Sequence, residues 1–169
     1  TINSYKRINA PTTASGATWA PNTITYAGNN RTHMIRVPGP GRFELRLMDG
    51  ATNPYLLQAG MLAAGIDGIE KKRNPGKPIN VNMYEEGYKV KGAKKLPLTL
   101  DQSLSYLEKN KVLQNAFGKD VINSYVKLKN KEIKKYNSSI EKKIGFKTSK
   151  KGNKSGIITQ WEKDNTLDC

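Results

Sequence analysis

The sequence predicts an α+β chain, and three observations carry that reading. Turn and loop formers with little helical period fill residues 1–30, among them Pro11, Gly16, Pro21, Asn22, Gly28, Asn29 and Asn30. Residues 42–46, Arg-Phe-Glu-Leu-Arg, alternate polar and apolar at the two-residue period of a strand. From Asn53 onward, helix signatures follow one another.

The first 50 residues read as strand and loop. Arg7, after Tyr5 and Lys6, closes a short strand. Pro38-Gly-Pro-Gly41 is a tight strand-to-strand link. It delivers a strand with Arg42, Glu44 and Arg46 on one face and Phe43, Leu45 and Leu47 on the other. Arg31 and Arg36 are five apart and cannot share a face of one regular strand, so Arg31, directly after Gly28-Asn-Asn30, is placed in a loop.

The helices come next. Asn53 as N-cap and Pro54 at the first position start one that runs to about residue 73, where Asn74-Pro-Gly76 stops it. Leu56, Leu57, Ala59, Met61, Leu62, Ala63, Ile66 and Ile69 lie on several of its sides, which predicts a buried helix packed under the sheet. Residues 77–98 read as irregular. Thr99-Leu-Asp-Gln102 is a capping-box start for a helix to about residue 109, with Leu100, Leu104 and Leu107 inward. Another helix follows Gly118, with Val121, Ile122, Tyr125, Leu128, Ile133 and Tyr136 as its apolar stripe and the lysines between them as a solvated face. Residues 141–158, rich in Lys, Gly, Ser and Asn, read as an inserted loop before a C-terminal segment at 159–169.

Composition narrows the function. The chain has 169 residues, opens on Thr1 and has no signal-like apolar region, so it reads as a piece of a larger polypeptide. Cys169 is the single cysteine, so no internal disulfide or cysteine-based metal cluster can form, and a reducing cytoplasm is the natural setting. The most apolar run, residues 54–66, is shorter than the roughly 20 residues a membrane span needs. A formal net charge of +15 raises the alternative of a basic nucleic-acid-binding module. Against it, the lysines sit mostly after residue 85 with Glu and Asn between them, and no aromatic-rich RNA motif or zinc spacing accompanies them. The expectation is therefore small-molecule substrates, no nucleic acid and no membrane.

The arginines carry the sharper signal. Five of the six, at positions 7, 31, 36, 42 and 46, fall within the first 46 residues, where Lys6 is the only lysine before residue 71. A generic basic surface would mix the two types. Arg offers a rigid fork of donors suited to carboxylate and phosphate oxygens, whereas Lys is a flexible point charge. Glu44 between two arginines reads either as a solvated salt-bridge ladder or as a phosphate site with a metal ligand; the segregation favours the latter. His33, the only histidine, reads as core or strand filler rather than a ligand.

Four motifs in register, Asn3-Ser-Tyr-Lys-Arg7, Asn30-Arg-Thr-His-Met-Ile-Arg36, Arg42-Phe-Glu-Leu-Arg46 and Asp49-Gly-Ala-Thr-Asn-Pro-Tyr55, resemble the C-terminal part of the catalytic domain of the glutamine synthetase family. Ala64-Gly-Ile-Asp-Gly-Ile69, Asn74-Pro-Gly76 and Asn82-Met-Tyr84 extend the resemblance to about residue 140, giving a catalytic-domain piece at 1–140. The closing Trp161-Glu and Thr166-Leu-Asp-Cys169 resemble the branch of type III-like synthetases and glutamate–methylamine ligases.

The resemblance implies a curved, largely antiparallel sheet backed by helices, and an ATP-dependent ligase that forms a γ-glutamyl amide through γ-glutamyl phosphate. Ammonia is the expected acceptor, with methylamine or another alkylamine as the alternative; a non-catalytic remnant is the alternative of another class. By resemblance, Arg7 and Arg46 contact glutamate, Arg31, Arg36 and Arg42 contact the nucleotide, Arg31 and Arg46 act on the phosphoryl group in flight, and Glu44 holds Mg2+ or Mn2+. The other metal ligands, including a histidine, would lie upstream of Thr1, and the full-length protein would form a large, dodecamer-like homo-oligomer. Tyr84 aligns with a tyrosine that is adenylylated in some members, although Glu85-Glu86-Gly87 does not continue that pattern. No acidic residue stands between Thr1 and Arg42, where the familiar ammonia-using enzymes carry a flap glutamate; that absence, with Trp19 in the segment, leaves room for an alkyl group on the amine.

Overall fold

The computed structural model describes residues 1, 2, 4, 5, 20–144 and 160–166. Arg7, Trp19 and Cys169 lie outside the described residues, as do residues 145–158 of the loop expected at 141–158, whose first four residues instead continue the preceding helix. The architecture is mixed α+β, with strands first and helices after. Strands β1 (Tyr26–Ala27), β2 (Ile35–Gly39) and β3 (Arg42–Leu45) form one sheet in sequence order, with β1 parallel to β2 and β2 antiparallel to β3.

The lead-in to β1 is strand-like beyond its two paired residues. Thr23, Thr25 and Ala27 are buried while Asn22 and Ile24 are exposed, the alternation of an extended chain. Residues 76–96 wrap this segment with one short 3-10 turn, Gly87–Lys89, and are otherwise irregular. They are tied to it by Ile24 N to Lys94 O at 2.8 Å, Leu96 N to Asn22 O at 2.9 Å and Ile79 N to Tyr26 O at 3.0 Å. This is where the irregular stretch does its structural work: it satisfies the edge of the sheet that would otherwise present unpaired backbone.

Between β1 and β2 the chain makes a polar turn with a fully buried imidazole at its centre. His33 Nε2 lies 3.0 Å from Val81 O and Nδ1 lies 3.0 Å from Thr25 Oγ1. The carbonyl can only accept, so the neutral ring carries its proton on Nε2 and accepts from the Thr25 hydroxyl at Nδ1. Filler of the fold, as the sequence implied, is its role. Burial lowers its pKa from the ordinary histidine value of 6.5.

Helix α1 (Pro54–Glu70) starts as predicted, with Asn53 Oδ1 accepting from Leu56 N at 3.0 Å and Pro54 in the first turn. It ends three residues short of Arg73, where Lys72 takes a positive φ of 47°. The expected burial under the sheet is not observed: no residue of α1 is buried, and its main neighbour is α3 (Lys111–Phe117), where Phe117 approaches Gly60. The physical reason is a shortage of cover. A helix apolar on several sides needs neighbours on several sides, and α3 supplies one.

Helix α2 (Leu100–Lys109) occupies the span the sequence predicted, but its capping box is only half made. Gln102 Oε1 accepts from Leu98 N at 2.9 Å, one residue before the expected donor, and the Thr99 hydroxyl makes no cap bond. Helix α3 escaped the sequence reading because seven residues are too few to show a period, and Asn110 serves both as C-cap of α2 and, through Oδ1 to Leu113 N at 3.1 Å, as N-cap of α3. Gly118, with φ of 84°, ends α3 and opens the way to α4 (Lys119–Ile144).

The core sits between α2 and α4, where Leu100, Leu104, Ile122 and Val126 are buried together and Ile2, Tyr5, Leu107, Phe117, Tyr125 and Ile133 pack around them. The start of the chain is pinned there too, by Ile2 N donating to Glu132 Oε1 at 3.2 Å and by the Tyr5 hydroxyl on Ser103. Further along α4, Tyr136 meets the edge of Trp161 on α5 (Gln160–Thr166), ring centroids 5.4 Å apart. Val121 and Leu128 of the predicted stripe are exposed instead, because the contact seam of α4 follows Ile122, Val126, Ile133 and Tyr136.

Two measurements check this fold. Leu104→Ala lowers unfolding stability by about 2–5 kcal/mol in a denaturant titration, while Leu128→Ala on the exposed side changes it by less than about 0.5 kcal/mol. His33 makes stability fall as pH drops below about 6.5 toward its lower folded pKa, because the unfolded chain takes up a proton that the fold refuses. His33→Gln flattens that slope between pH 5 and about 7, a window clear of the carboxylates.

Candidate functional site

The β2–β3 hairpin builds the site. Pro40 and Gly41 form its two-residue turn, with Gly41 at φ of 77°, a conformation that β-branched or bulky residues resist. The register then pairs Gly39 with Arg42, slips once, and pairs Arg36 with Glu44 and Ile35 with Leu45. That slip puts Arg36 opposite Glu44, and the strand period puts Arg46 beside it.

The result is one carboxylate between two guanidiniums. Arg36 Nη1 donates to Glu44 Oε2 at 2.7 Å, and Arg46 Nε donates to Glu44 Oε1 at 3.0 Å. The arginine side chains are 15% and 17% exposed, the Glu44 side chain 43%. The hydrogen bond from Arg36 is the main cause holding the Glu44 carboxyl below the usual carboxylate range, with the charges of Arg36 and Arg46 adding to it.

The two arginines are not equivalent. Arg36 is also fixed from behind, its Nε and Nη2 donating to Asn29 Oδ1 at 2.9 and 2.5 Å, so three of its five donors are in use. Arg46 Nη1 is buried and has no hydrogen-bond partner among the described residues. A buried guanidinium N–H without an acceptor is costly to leave so, and suits a site where a ligand oxygen arrives. Asn29 was missed from the sequence, where it read only as a loop former; nothing short of the register would have set it against Arg36.

The other expected residues stand apart. Arg31 is exposed in the turn ahead of β2, as its spacing after Gly28-Asn-Asn30 implied, and forms no ion pair among the described residues. Arg42 is exposed at the hairpin tip and does not reach Glu44. The Tyr84 hydroxyl is buried; burial raises its pKa and the charge of Arg46 works against that rise. In this arrangement it is not presented for modification.

Among the described residues, no three His, Cys, Asp or Glu side chains gather closely enough to hold a metal. Glu44 fits as a single oxygen ligand: the two arginines use two of its roughly four lone-pair sites, and the carboxylate is open to solvent.

The β2–β3 hairpin of this α+β chain thus gathers guanidiniums around one acid, donors whose geometry matches carboxylate and phosphate oxygens. Comparison with known proteins places it more closely. Residues 1–145 match the family described as "Glutamine synthetase, catalytic domain". Over 168 residues the chain is 51% identical to glutamine synthetase of Rhizobium leguminosarum bv. phaseoli, covering 99% of this chain and 34% of that protein. It is 45% identical over 139 residues to glutamate–methylamine ligase of Methyloversatilis universalis FAM5, covering 80% of this chain and 31% of the relative. A solved structure of a GmaS/ADP complex superposes with a TM-score of 0.76 at 48% identity, over all of this chain and 35% of that one. The chain belongs to the glutamine synthetase family and spans about a third of the length of the curated relatives it matches.

The geometry makes a direct prediction. The side-chain carboxyl of Glu44, followed by carbon-13 NMR, titrates below the ordinary glutamate value of 4.5; Arg36→Gln raises its midpoint, and Arg42→Gln leaves it in place.

Proposed function

We propose that this chain supplies one wall of the active site of an ATP-dependent ligase that joins glutamate to an amine. The observation that carries the reading is the Arg36–Glu44–Arg46 cluster, in which a buried Arg46 N–H has no acceptor. In the proposed reaction, the γ-phosphoryl of ATP is transferred to the γ-carboxylate of glutamate, and an amine displaces phosphate from the resulting acyl phosphate. Phosphoryl transfer asks chiefly for positioning and charge stabilisation, which is what guanidiniums on a rigid hairpin offer.

Arg46 faces the phosphoryl group or the amino acid through its open N–H. Arg36, held by Asn29, fixes Glu44 and keeps its two remaining donors for nucleotide phosphate. Arg31 and Arg42, both exposed, are free to swing onto the nucleotide, with Arg31 neutralising charge on the phosphates. Arg7 is assigned to the glutamate carboxylate. Glu44 would hold a Mg2+ or Mn2+ ion by one oxygen, and such an ion, when bound, neutralises charge on the phosphate oxygens. The assembled protein works in the cytoplasm as a large homo-oligomer.

The acceptor is ammonia in the first reading. A second, methylamine, is supported by the Methyloversatilis relative and by the absence of any acidic residue between Thr1 and Arg42.

The test places this chain in the matching third of the Rhizobium leguminosarum enzyme and follows ADP formation. The expected result is turnover that requires glutamate and an amine together, falling about 100-fold or more with Arg46→Ala, the scale of losing one transition-state donor. ADP formation indifferent to glutamate, or to Arg46→Ala, would overturn the proposal. Ammonium against methylamine in the same assay decides the acceptor.

A further inference from the structure

The turn from Gly28 to Met34 carries Arg31 and belongs to neither β1 nor β2, yet its side chains tie it to residues 81–83. Within the turn, Asn30 Oδ1 accepts from the Thr32 N–H at 3.0 Å and from the Thr32 hydroxyl at 2.8 Å. Across to the strap, Asn30 Nδ2 and His33 Nε2 both donate to Val81 O at 3.0 Å, and Met83 N donates to Thr32 Oγ1 at 2.9 Å. A carbonyl accepts twice and a hydroxyl both gives and accepts, so all these bonds coexist. Thr32 and His33 are buried, while Arg31, flanked by two of the clamping residues, is exposed. Fastening the strap to the sheet edge does not need these side chains, because backbone bonds such as Ile24 N to Lys94 O and Ile79 N to Tyr26 O already do it.

We infer that Asn30 and Thr32 are positioning residues: by clamping the turn onto Val81 and Met83 they hold the backbone of Arg31 fixed, so that its guanidinium reaches a nucleotide's phosphates from a set starting point. The inference rests on the proposed assignment of Arg31 to the nucleotide. Two adjacent asparagines then do complementary work. Asn29 grips the Arg36 guanidinium itself, whereas Asn30 grips the main chain beside Arg31 and leaves that guanidinium in solvent. An arginine on a loose loop would lose backbone as well as side-chain freedom when a ligand arrives. Here the backbone part of that cost is met when the chain folds, which leaves more of the contact with phosphate to appear as affinity.

The test uses the chimeric enzyme in which this chain replaces the matching third of the Rhizobium leguminosarum protein, titrated calorimetrically with a non-hydrolysable ATP analogue in excess Mg2+ and, separately, with glutamate. Thr32→Val removes the hydroxyl with little change of shape, and is expected to weaken the analogue about tenfold, the scale of one hydrogen bond. Glutamate affinity stays within about twofold, which a general loosening of the fold would not allow. Thr32→Ser keeps the hydroxyl and binds the analogue as the unsubstituted chimera does. Asn30→Ala opens the clamp from its other side and repeats the pattern of Thr32→Val. In an Arg31→Ala background, Thr32→Val costs nothing further, because the clamp acts through Arg31. Analogue affinity that falls with Arg31→Ala but not with Thr32→Val or Asn30→Ala would overturn the inference and leave the proposed function standing. Equal losses for glutamate and the analogue, or losses that add fully to that of Arg31→Ala, would also overturn it, since the clamp would then serve the fold as a whole. Arg31→Ala without effect on the analogue would remove the assignment of Arg31 and this inference with it.

Discussion

The site depends on the register of one hairpin. With the slip between Arg36 and Gly39, Arg36 faces Glu44 and its guanidinium closes on the carboxylate at 2.7 Å. A shift of one residue would turn Arg36 to the other face of the sheet and leave Glu44 with Arg46 alone. The turn at Pro40 and Gly41 fixes where the two strands meet. Asn29, from the turn between β1 and β2, then locks the guanidinium from its far side. A loop residue, a bulge and a turn thus cooperate to hold three side chains whose charges would not gather unaided.

That arrangement separates rigidity from availability. Arg36 is committed to neighbours on both sides, so it behaves as a fixture. Arg46 shares its Nε with Glu44 and keeps a buried donor without an acceptor. Arg31 and Arg42, on the turn and at the hairpin tip, keep their freedom. Such a gradient from fixed to exposed arginine suits the proposed role of receiving a polyanion and releasing it: the fixed groups set the geometry, and the exposed ones supply charge with little reorganisation of the sheet. Beneath it, His33 and the Thr25 hydroxyl fill the space under the turn, and residues 76–96 strap the edge.

Much of this was legible in the sequence, for reasons that can be stated. Asn53 and Pro54 announced α1 because a cap and a first-turn proline act locally, and the bounds of α2 followed from equally local signals. The placement of Arg31 off the strand followed from strand period together with the loop formers Gly28-Asn-Asn30 just ahead of it. What was hidden is non-local. The contact of Arg36 with Glu44 comes from a bulge, the role of Asn29 from a loop folding back, and the short α3 from an asparagine that caps two helices at once. The burial expected for α1 was a correct reading of its composition and an incorrect reading of its surroundings, because hydrophobic pattern reports what a helix needs and not what stands beside it. Glu44 was identified with its arginine neighbours on the strand, yet the partner that most strongly lowers its pKa is on the other strand.

The central claim is that this cluster receives a nucleotide's phosphates and a divalent ion. The most direct measurement is a crystal structure of the chimeric enzyme with Mn2+ and a non-hydrolysable ATP analogue, the ion located by its anomalous scattering. The account predicts manganese coordinated by a Glu44 oxygen, with a phosphate oxygen of the analogue accepting from Arg46 Nη1. Manganese and phosphates bound away from Glu44 and Arg46, with the carboxylate still closed between its two guanidiniums, would contradict it.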